Sequence, residues 1–214
     1  MTSRFPDPVV CSVNVGKPRL VEWRGQQVMT AIWKEPVHGA IRVEGVNLVG
    51  DDQADRRVHG GADKAVYAYA TEDYDWWSTQ VGDLGPGTFG ENLTTAYIDL
   101  TAAFIGDRWH VGTAVLEVSQ PRLPCFKLGI RMGDDTFTRR FALAGRPGAY
   151  LRIVQPGQIE AGDHIRLEPA SRPSISVGAL AAGNLTMEEL VAVAADKRVP
   201  EGWRRDADRE LARR

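Results

Sequence analysis

Cys125 is the residue best suited to chemistry in this 214-residue sequence, which contains only two cysteines. It lies in the segment SQPRLPCFKL (119–128), after Pro121 and Pro124 and between Arg122 and Lys127. Proline fixes its own backbone and biases the preceding residue toward extended geometry, so this loop should present the thiol at a defined place. A nearby cation stabilises the thiolate, which is both the nucleophile and the soft metal ligand. A reactive or metal-ligating cysteine is indicated, although a buried structural cysteine fits the local sequence as well.

Two further polar segments contain glycine. In GDDQADRRVHGGADKAV (50–66), four aspartates, His59 and Lys64 surround a pair of glycines, and GPGTFGENLTT (85–95) places Glu91 and Asn92 after Gly90. Glycine lets the backbone approach a ligand closely. The structural alternatives are a solvated loop for the first segment and a tight turn for the second. Neither has the spacing of a calcium loop or a phosphate loop.

Other catalytic patterns are missing from the sequence. No H-E-x-x-H and no C-x-x-C is present, which argues against a protein-built zinc site, and the lack of G-x-S-x-G weakens a hydrolase interpretation. Cys11 lies in the strand-like segment VVCSVNVG and is expected in the core.

The composition is that of an ordinary globular protein with a formal net charge of −2, which gives no electrostatic case for nucleic acid or an anionic membrane. No run approaches the roughly 18 apolar residues that span a bilayer. The N-terminus lacks a secretory-signal pattern, so the expected location is the cytoplasm, with both thiols free.

Short strands separated by turns are predicted for most of residues 9–170. RLVEW and QQVMTAIW should form a hairpin, AVYAYA (65–70) and TAVLEVSQ (113–120) buried strands, and AYLRIV and DHIRLEP a strand pair. Helices are expected in TEDYDWWSTQVG, capped by Thr71, and in DDTFTRRFALAG. The sequence pattern changes from mainly strand-like to helical near residue 170, where we place a domain boundary. Beyond it, a capping box of Thr186 and Glu189 and a second start at Pro200 predict a tail of two helices.

Four segments together resemble a known family. GDDQADRRVHGGADKAVYAY, GTFGENLTT, IGDRW and LEVSQPRLPCFKL have the order and spacing found in YiiM-like MOSC domains, and the resemblance covers roughly residues 10–170. It implies a mainly β fold with some α, a barrel related to that of pyruvate kinase (1–170), and a small helical tail (171–214) that looks like an incomplete three-helix segment.

The resemblance also implies a function. MOSC domains are associated with the molybdenum cofactor, and YiiM-like members with the reduction of N-hydroxylated compounds, including N-hydroxylated purine bases, to amines. Cys125 falls on the family cysteine and would be the metal ligand, with His59, Glu91 or Asp63 as the proton donor. The candidate cofactor-binding residues are His59, Asp63, Lys64, Gly90, Asn92, Ser119, Arg122 and Lys127. Because the sequence carries no flavin, haem or iron–sulfur motif, electrons would come from a separate reductase; a homodimer is also compatible.

One alternative function stays open at this point. A sulfur carrier or cofactor-delivery protein would hold a persulfide on Cys125, and persulfide chemistry also benefits from a thiol flanked by cations. A third reading, a small-ligand binder whose stiff loop only shapes a pocket, gives no reason for a thiol at position 125.

Overall fold

The computed structural model describes residues 6–54, 60–172 and 175–214. Its strands are β1 (Val9–Val15), β2 (Arg19–Trp23), β3 (Gln26–Thr30), β4 (Glu35–Pro36), β5 (Ile41–Glu44), β6 (Asn47–Leu48), β7 (Val66–Ala70), β8 (Leu93–Ala96), β9 (Arg108–Val111), β10 (Ala114–Pro121), β11 (Ala149–Gln155), β12 (Gly157–Ile159) and β13 (Ile165–Glu168). Its helices are α1 (Thr71–Val81), α2 (Phe126–Met132), α3 (Phe137–Ala144), α4 (Val177–Ala182), α5 (Met187–Ala195) and α6 (Glu201–Leu211), with a short 3-10 turn over Ala62–Lys64.

One large sheet organises the molecule. Its eight strands follow the order β13-β9-β10-β11-β7-β8-β1-β4, and only the β7–β8 pair is parallel. The sheet curls so that β1 reaches the start of β13, where the Ile165 amide donates to the Pro8 carbonyl (2.8 Å) and the Val10 amide to the Asp163 carbonyl (2.9 Å). The predicted fold class, mainly β with some α, is confirmed. A closed barrel ladder is not formed by the described strands, because β1 and the β13 end share a single bridge.

Two hydrophobic cores lie on opposite sides of this sheet. The larger core is aliphatic and includes residues of the tail helices, such as Val177, Leu190 and Val193. The smaller core is aromatic and packs α1, α2 and α3 around Tyr69 and Phe89. The tail is therefore continuous with the interior of the body, since its apolar side chains complete the aliphatic core.

Several predicted elements are confirmed. β2 and β3 form the expected hairpin, with Arg24 and Gly25 at φ values of 54° and 72° in the turn. α1 and α3 end before Gly82 and Gly145, the predicted stop residues. Both hydrogen bonds of the Thr186–Glu189 capping box are present.

Four predictions are wrong. β11 and β13 do not pair with each other; β11 pairs with β10 and β7, and β13 pairs with β9. Thr71 does not cap α1, because the N-cap position is Ala70 and the Thr71 hydroxyl donates to Glu72 instead. The tail contains three helices, not two: VGALAA forms α4, whose N-cap Ser176 accepts a hydrogen bond from the Ala179 amide.

Cys11 is the fourth error. It is exposed rather than buried, because the β1–β8 register shifts between Val10 and Ser12 and leaves Cys11 outside the ladder.

None of the helices in the described ranges has the length and apolar character needed to cross a bilayer.

Candidate active site

The Cys125 thiol is held at the start of α2, directly after the strand β10 and its proline-rich exit. Its backbone is extended, with φ −118° and ψ 170°, and its carbonyl accepts hydrogen bonds from the Leu128 amide (2.9 Å) and the Thr138 hydroxyl (3.2 Å). Leu128 is fully buried in the aromatic core and so anchors the helix. The loop leaves the side chain of Cys125 half-buried.

Two cavities meet at Cys125. The smaller one, of about 90 Å³, lies between the loop and the sheet; the larger one, of about 620 Å³, lies between the loop and α6. Leu123, Cys125 and Tyr150 line both. A group bound to the thiol would therefore be reachable from two sides.

Arg122 is the most unusual charge in the site. It lines the smaller cavity, its exposed fraction is 6%, and its guanidinium lies 5.2 Å from the centre of the Tyr67 ring and 5.1 Å from that of Phe141. Within the described ranges, Nη1 has no hydrogen-bond partner and no carboxylate pairs with the guanidinium. Burying an unpaired charge is costly, so this position suits an anionic ligand.

Two more cations border the thiol. Lys127 lines the smaller cavity beside Arg122, and Lys64 lines the larger one. Partial burial lowers the pKa of Lys64, while the charges of Asp63 and Cys125 act in the opposite direction. The three predicted cations are thus brought together around Cys125.

Lys34, which the sequence analysis missed, forms a buried ion pair in the wall of the smaller cavity. Its ammonium lies 2.5 and 2.6 Å from the two carboxylate oxygens of Asp51, and the exposed fractions of the two side chains are 7% and 0%. Burial lowers the pKa of Lys34 even though Asp51 favours the charged form. The only sequence signal for Lys34 was its position two residues after Ile32 in a strand-like stretch. An exposed lysine could occupy the same position, so the sequence does not show that Lys34 is buried.

Asn92 and Gly90 also line the smaller cavity, but their polar groups are engaged within the protein. The Asn92 amide donates to Asp51 Oδ2 (2.9 Å) and to the Asn14 carbonyl (3.2 Å), and its oxygen accepts from the Tyr67 amide (3.1 Å). The Gly90 amide donates to the Gly87 carbonyl. Both residues shape the wall, and their predicted contacts to a cofactor stay predictions.

Glu91 lies away from both cavities, in the interior. Its Oε1 accepts hydrogen bonds from the Tyr74 hydroxyl (2.6 Å), the Gly87 amide (2.6 Å) and the Thr94 hydroxyl (2.8 Å), and the residue is fully buried. Burial raises the pKa of this carboxyl, while the three hydrogen bonds act in the opposite direction. These bonds tie the glycine-rich loop 85–90 to α1, and the Glu91 carboxyl lines neither cavity.

The other predicted residues have different surroundings. Asp63 lines the larger cavity and pairs with Arg152, with 2.5 Å between Oδ1 and Nε. The Ser119 hydroxyl contacts the carbonyls of Asp63 (2.6 Å) and Tyr150 (3.0 Å), which ties β10 to its neighbours. His59 lies outside the described residues.

The residues around Cys125 fit a metal that arrives with most of its own ligands. Among the described side chains, no three of His, Cys, Asp and Glu cluster closely enough to hold a bare ion. One thiol plus a buried, unpaired guanidinium suits an anionic, metal-bearing cofactor. The smaller cavity, of about 90 Å³, would admit a group the size of a phosphate, whereas a fused ring system would need the larger one.

Comparison with known proteins identifies the family of this chain. The MOSC domain family model matches residues 55–166. The chain is 32% identical to protein YiiM of Escherichia coli over 170 residues, which cover 77% of this chain and 70% of that protein. It is 35% identical over 182 residues to a protein named "Reductase" from Gibberella moniliformis, covering 82% of this chain but 32% of that longer protein.

A solved structure shares the whole fold. The crystal structure of YiiM from Geobacillus stearothermophilus superimposes with a TM-score of 0.78 at 27% identity, covering 95% of this chain and 99% of that chain.

Proposed function

Because the chain belongs to the MOSC domain family, as a YiiM-like protein of the molybdenum-cofactor-binding kind, we propose that it reduces N-hydroxylated compounds to amines, with Cys125 as the molybdenum ligand. N-hydroxylated purine bases are the proposed substrate class. The similarity to a protein named as a reductase supports an oxidoreductase.

The observation that carries the proposal is the pairing of Cys125 with Arg122 on one cavity. The guanidinium is buried and its Nη1 is unpartnered among the described residues, and together with Lys127 it gives this cavity positive charge beside the thiol. A thiolate and an anionic cofactor together would neutralise this charge. A loop with only a structural role would gain no stability from this buried positive charge.

This chain's own residues have limited tasks in the reaction R–NH–OH + 2 e⁻ + 2 H⁺ → R–NH₂ + H₂O. The cofactor supplies the two-electron oxygen-atom chemistry when it is bound. Cys125 would hold the metal, and Arg122 and Lys127, which line the same cavity, would bind the negative charge of the cofactor. Lys34 and Asp51 keep the opposite wall rigid.

Proton delivery falls to the larger cavity. Asp63 and Lys64 both line it together with Cys125, whereas Glu91 is sealed in the interior. The Asp63 carboxylate is already engaged in an ion pair with Arg152, so we propose the Lys64 ammonium as the proton donor. Partial burial, which lowers the pKa of Lys64, also favours release of its proton.

A second candidate is a persulfide carrier, favoured by the exposure of the loop around Cys125. Leu123 and Phe126, on either side of the cysteine, are 58% and 57% exposed. Such an apolar rim around a half-buried thiol would suit transfer of sulfur to another protein.

The test compares turnover by wild-type protein and by Cys125→Ser, both purified from a host that makes the cofactor, with reduced methyl viologen as electron donor and an N-hydroxylated purine as substrate. We expect wild type to form the amine and Cys125→Ser to lose at least about a hundredfold in rate. Full activity in the variant would contradict the proposal. Cyanide-releasable sulfur on wild-type Cys125, without turnover, would favour the carrier.

A further inference from the structure

Two series of hydrogen bonds that begin in the helical tail end on Asp63. This residue lies in the 3-10 turn over Ala62–Lys64, directly before Lys64, the proposed proton donor. Asp63 and Lys64 both line the larger cavity together with Cys125. The position of the Lys64 side chain relative to the thiol therefore depends on what holds this turn.

The first series begins at Trp203 of α6. Its indole donates to Gln120 Oε1 (3.0 Å), and Gln120 Nε2 donates to the Asp63 carbonyl (3.1 Å). The Ser119 hydroxyl lies 2.6 Å from the same carbonyl oxygen, so two side chains of strand β10 contact it. The backbone of Asp63 is thereby tied to β10, and Trp203 orients the Gln120 amide that makes one of the two contacts.

The second series passes through Arg152 of strand β11. Its Nε lies 2.5 Å from Asp63 Oδ1, its Nη1 lies 3.2 Å from Glu117 Oε1, and its Nη2 donates to the Arg198 carbonyl (2.6 Å). Three nitrogens of one planar guanidinium thus join the turn, the sheet and the tail. A lysine, with a single nitrogen on a flexible stem, could not hold three such partners in fixed directions.

The Arg198 carbonyl is itself held in place between α5 and α6. The Arg198 amide and Nε both donate to Asp196 Oδ1 (2.9 and 3.0 Å), and the Arg198 side chain packs over Gly106. A β-carbon built at position 106 would lie 2.8 Å from Arg198 Cδ, so glycine permits this close approach. The tail therefore offers Arg152 an acceptor in a fixed position.

Attachment of the tail to the body does not explain where these bonds lead. The tail is attached mainly by apolar side chains of its helices, which complete the aliphatic core. The bonds of Arg152 add direction more than stability, because desolvation of a partly buried ion pair offsets much of its attraction. Since both series end on the residue next to Lys64, they fix the turn and, with it, the start of the Lys64 side chain.

We infer that Arg152 is a positioning residue, which holds the Asp63–Lys64 turn from the helical tail and so keeps the Lys64 ammonium in the cavity that it shares with the Cys125 thiol. Arg152 lies outside the linings of both cavities as the described residues define them, so it would act on the reaction only through this turn. The inference rests on the proposed function and gives the tail a role at the same site.

The experiment compares Arg152→Lys with Arg108→Lys, each made in wild type and in Lys64→Met. Arg152→Lys keeps a positive charge beside the turn but cannot also reach the tail carbonyl. Arg108 is exposed and pairs with the other carboxylate oxygen of Glu117 (3.2 Å), so its variant is a matched control. The cofactor-loaded proteins are assayed with reduced methyl viologen on an N-hydroxylated purine, and the melting temperature of each is measured.

We expect Arg152→Lys to lower kcat about tenfold with KM unchanged, and Arg108→Lys to change neither constant. Lys64→Met should lower kcat about a hundredfold. Adding Arg152→Lys to Lys64→Met should cause no further loss, because the effect of Arg152 passes through Lys64. Losses that multiply in this double variant, an unchanged kcat in Arg152→Lys, or full turnover in Lys64→Met would overturn the inference.

Hydrogen exchange of the cofactor-free proteins separates failure of the inference from failure of the proposed function. The amides of residues 60–66 should exchange at least about tenfold faster in Arg152→Lys than in Arg108→Lys, because a charge-assisted hydrogen bond to the tail is lost. Equal exchange in the two variants contradicts the inference, whatever the turnover. Faster exchange in Arg152→Lys, combined with a wild-type protein that has no turnover, contradicts the proposed function and supports the hold of the tail on the turn.

Discussion

Arg122 and Glu91 are both buried ionisable residues in glycine- or proline-rich loops, yet their surroundings differ. Oε1 of Glu91 accepts three hydrogen bonds, from Tyr74, Gly87 and Thr94, while its Oε2 has no partner among the described residues. The Arg122 guanidinium lies against aromatic rings, and its Nη1 has no partner in the part of the chain that the structure describes. Glu91 lines neither cavity, whereas the Arg122 guanidinium lines the smaller one, so of the two only Arg122 is placed to bind a ligand.

Lys34 extends this comparison, because it lines the same cavity as Arg122 but is satisfied by Asp51. The three charges therefore predict different responses to removal, in stability for Lys34 and Glu91 and in ligand binding for Arg122.

The largest effect is expected for Lys34→Met. Removing one partner of a buried ion pair leaves Asp51 uncompensated, so the free energy of unfolding should fall by about 3–5 kcal/mol. Denaturant unfolding of the variant beside Lys17→Met, which removes an exposed lysine, measures this. Equal stability of the two variants would show that the Lys34–Asp51 pair does not stabilise the fold.

Arg122→Met should behave in the opposite way. With no carboxylate left unpaired, the free energy of unfolding of the cofactor-free protein should change by less than about 1 kcal/mol. The fraction of purified chains that retain the pterin should nevertheless fall, because charge-assisted hydrogen bonds to the cofactor are lost, each worth about 1.5–3 kcal/mol. Arg139→Met, at an exposed arginine, is the control. Full pterin content in Arg122→Met would remove the basis for treating Arg122 as a ligand.

The smallest effect is expected for Glu91→Gln, and it depends on pH. Burial raises the pKa of Glu91, so the fold favours the protonated carboxyl. Its contribution to stability is present below the unfolded pKa of about 4.3 and is lost as pH rises through the folded pKa. The glutamine stays neutral and its oxygen can accept the same hydrogen bonds. The free energy of unfolding of the variant should therefore increase relative to that of wild type as pH rises, by on the order of 1 kcal/mol.

Unfolding curves between pH 4 and pH 8 measure this difference. Turnover per folded molecule should be the same in Glu91→Gln and wild type, because the carboxyl lines neither cavity. A hundredfold loss of activity in Glu91→Gln would instead indicate that Glu91 is the proton donor.

Much of the fold follows from local patterns. The β2–β3 hairpin, the stop glycines of α1 and α3, and the Thr186–Glu189 box depend on neighbouring residues, so the sequence predicts them. The partners of β11 and β13 depend on contacts distant in sequence, and α2 is a seven-residue helix whose pattern is too short to recognise.

The site residues also fall into two groups, those that are close in sequence and those that only the fold brings together. Cys125, Arg122 and Lys127 are close in sequence and could be predicted together, with the family resemblance giving the thiol its role. Lys34 and Trp203 reach the two cavities only through long-range packing, so no local signal identifies them. For Glu91, residue type suggested an acid, but only its three partners show how the carboxylate is used.

The central claim is that Cys125 binds the metal of a molybdenum cofactor. The most direct measurement is the molybdenum and pterin content of wild-type protein beside Cys125→Ser, both purified from a host that makes the cofactor. We expect about one molybdenum per chain in wild type and almost none in the variant, with both proteins folded to the same degree. Equal molybdenum in the two proteins would contradict the claim, since Cys125 would then not be the ligand.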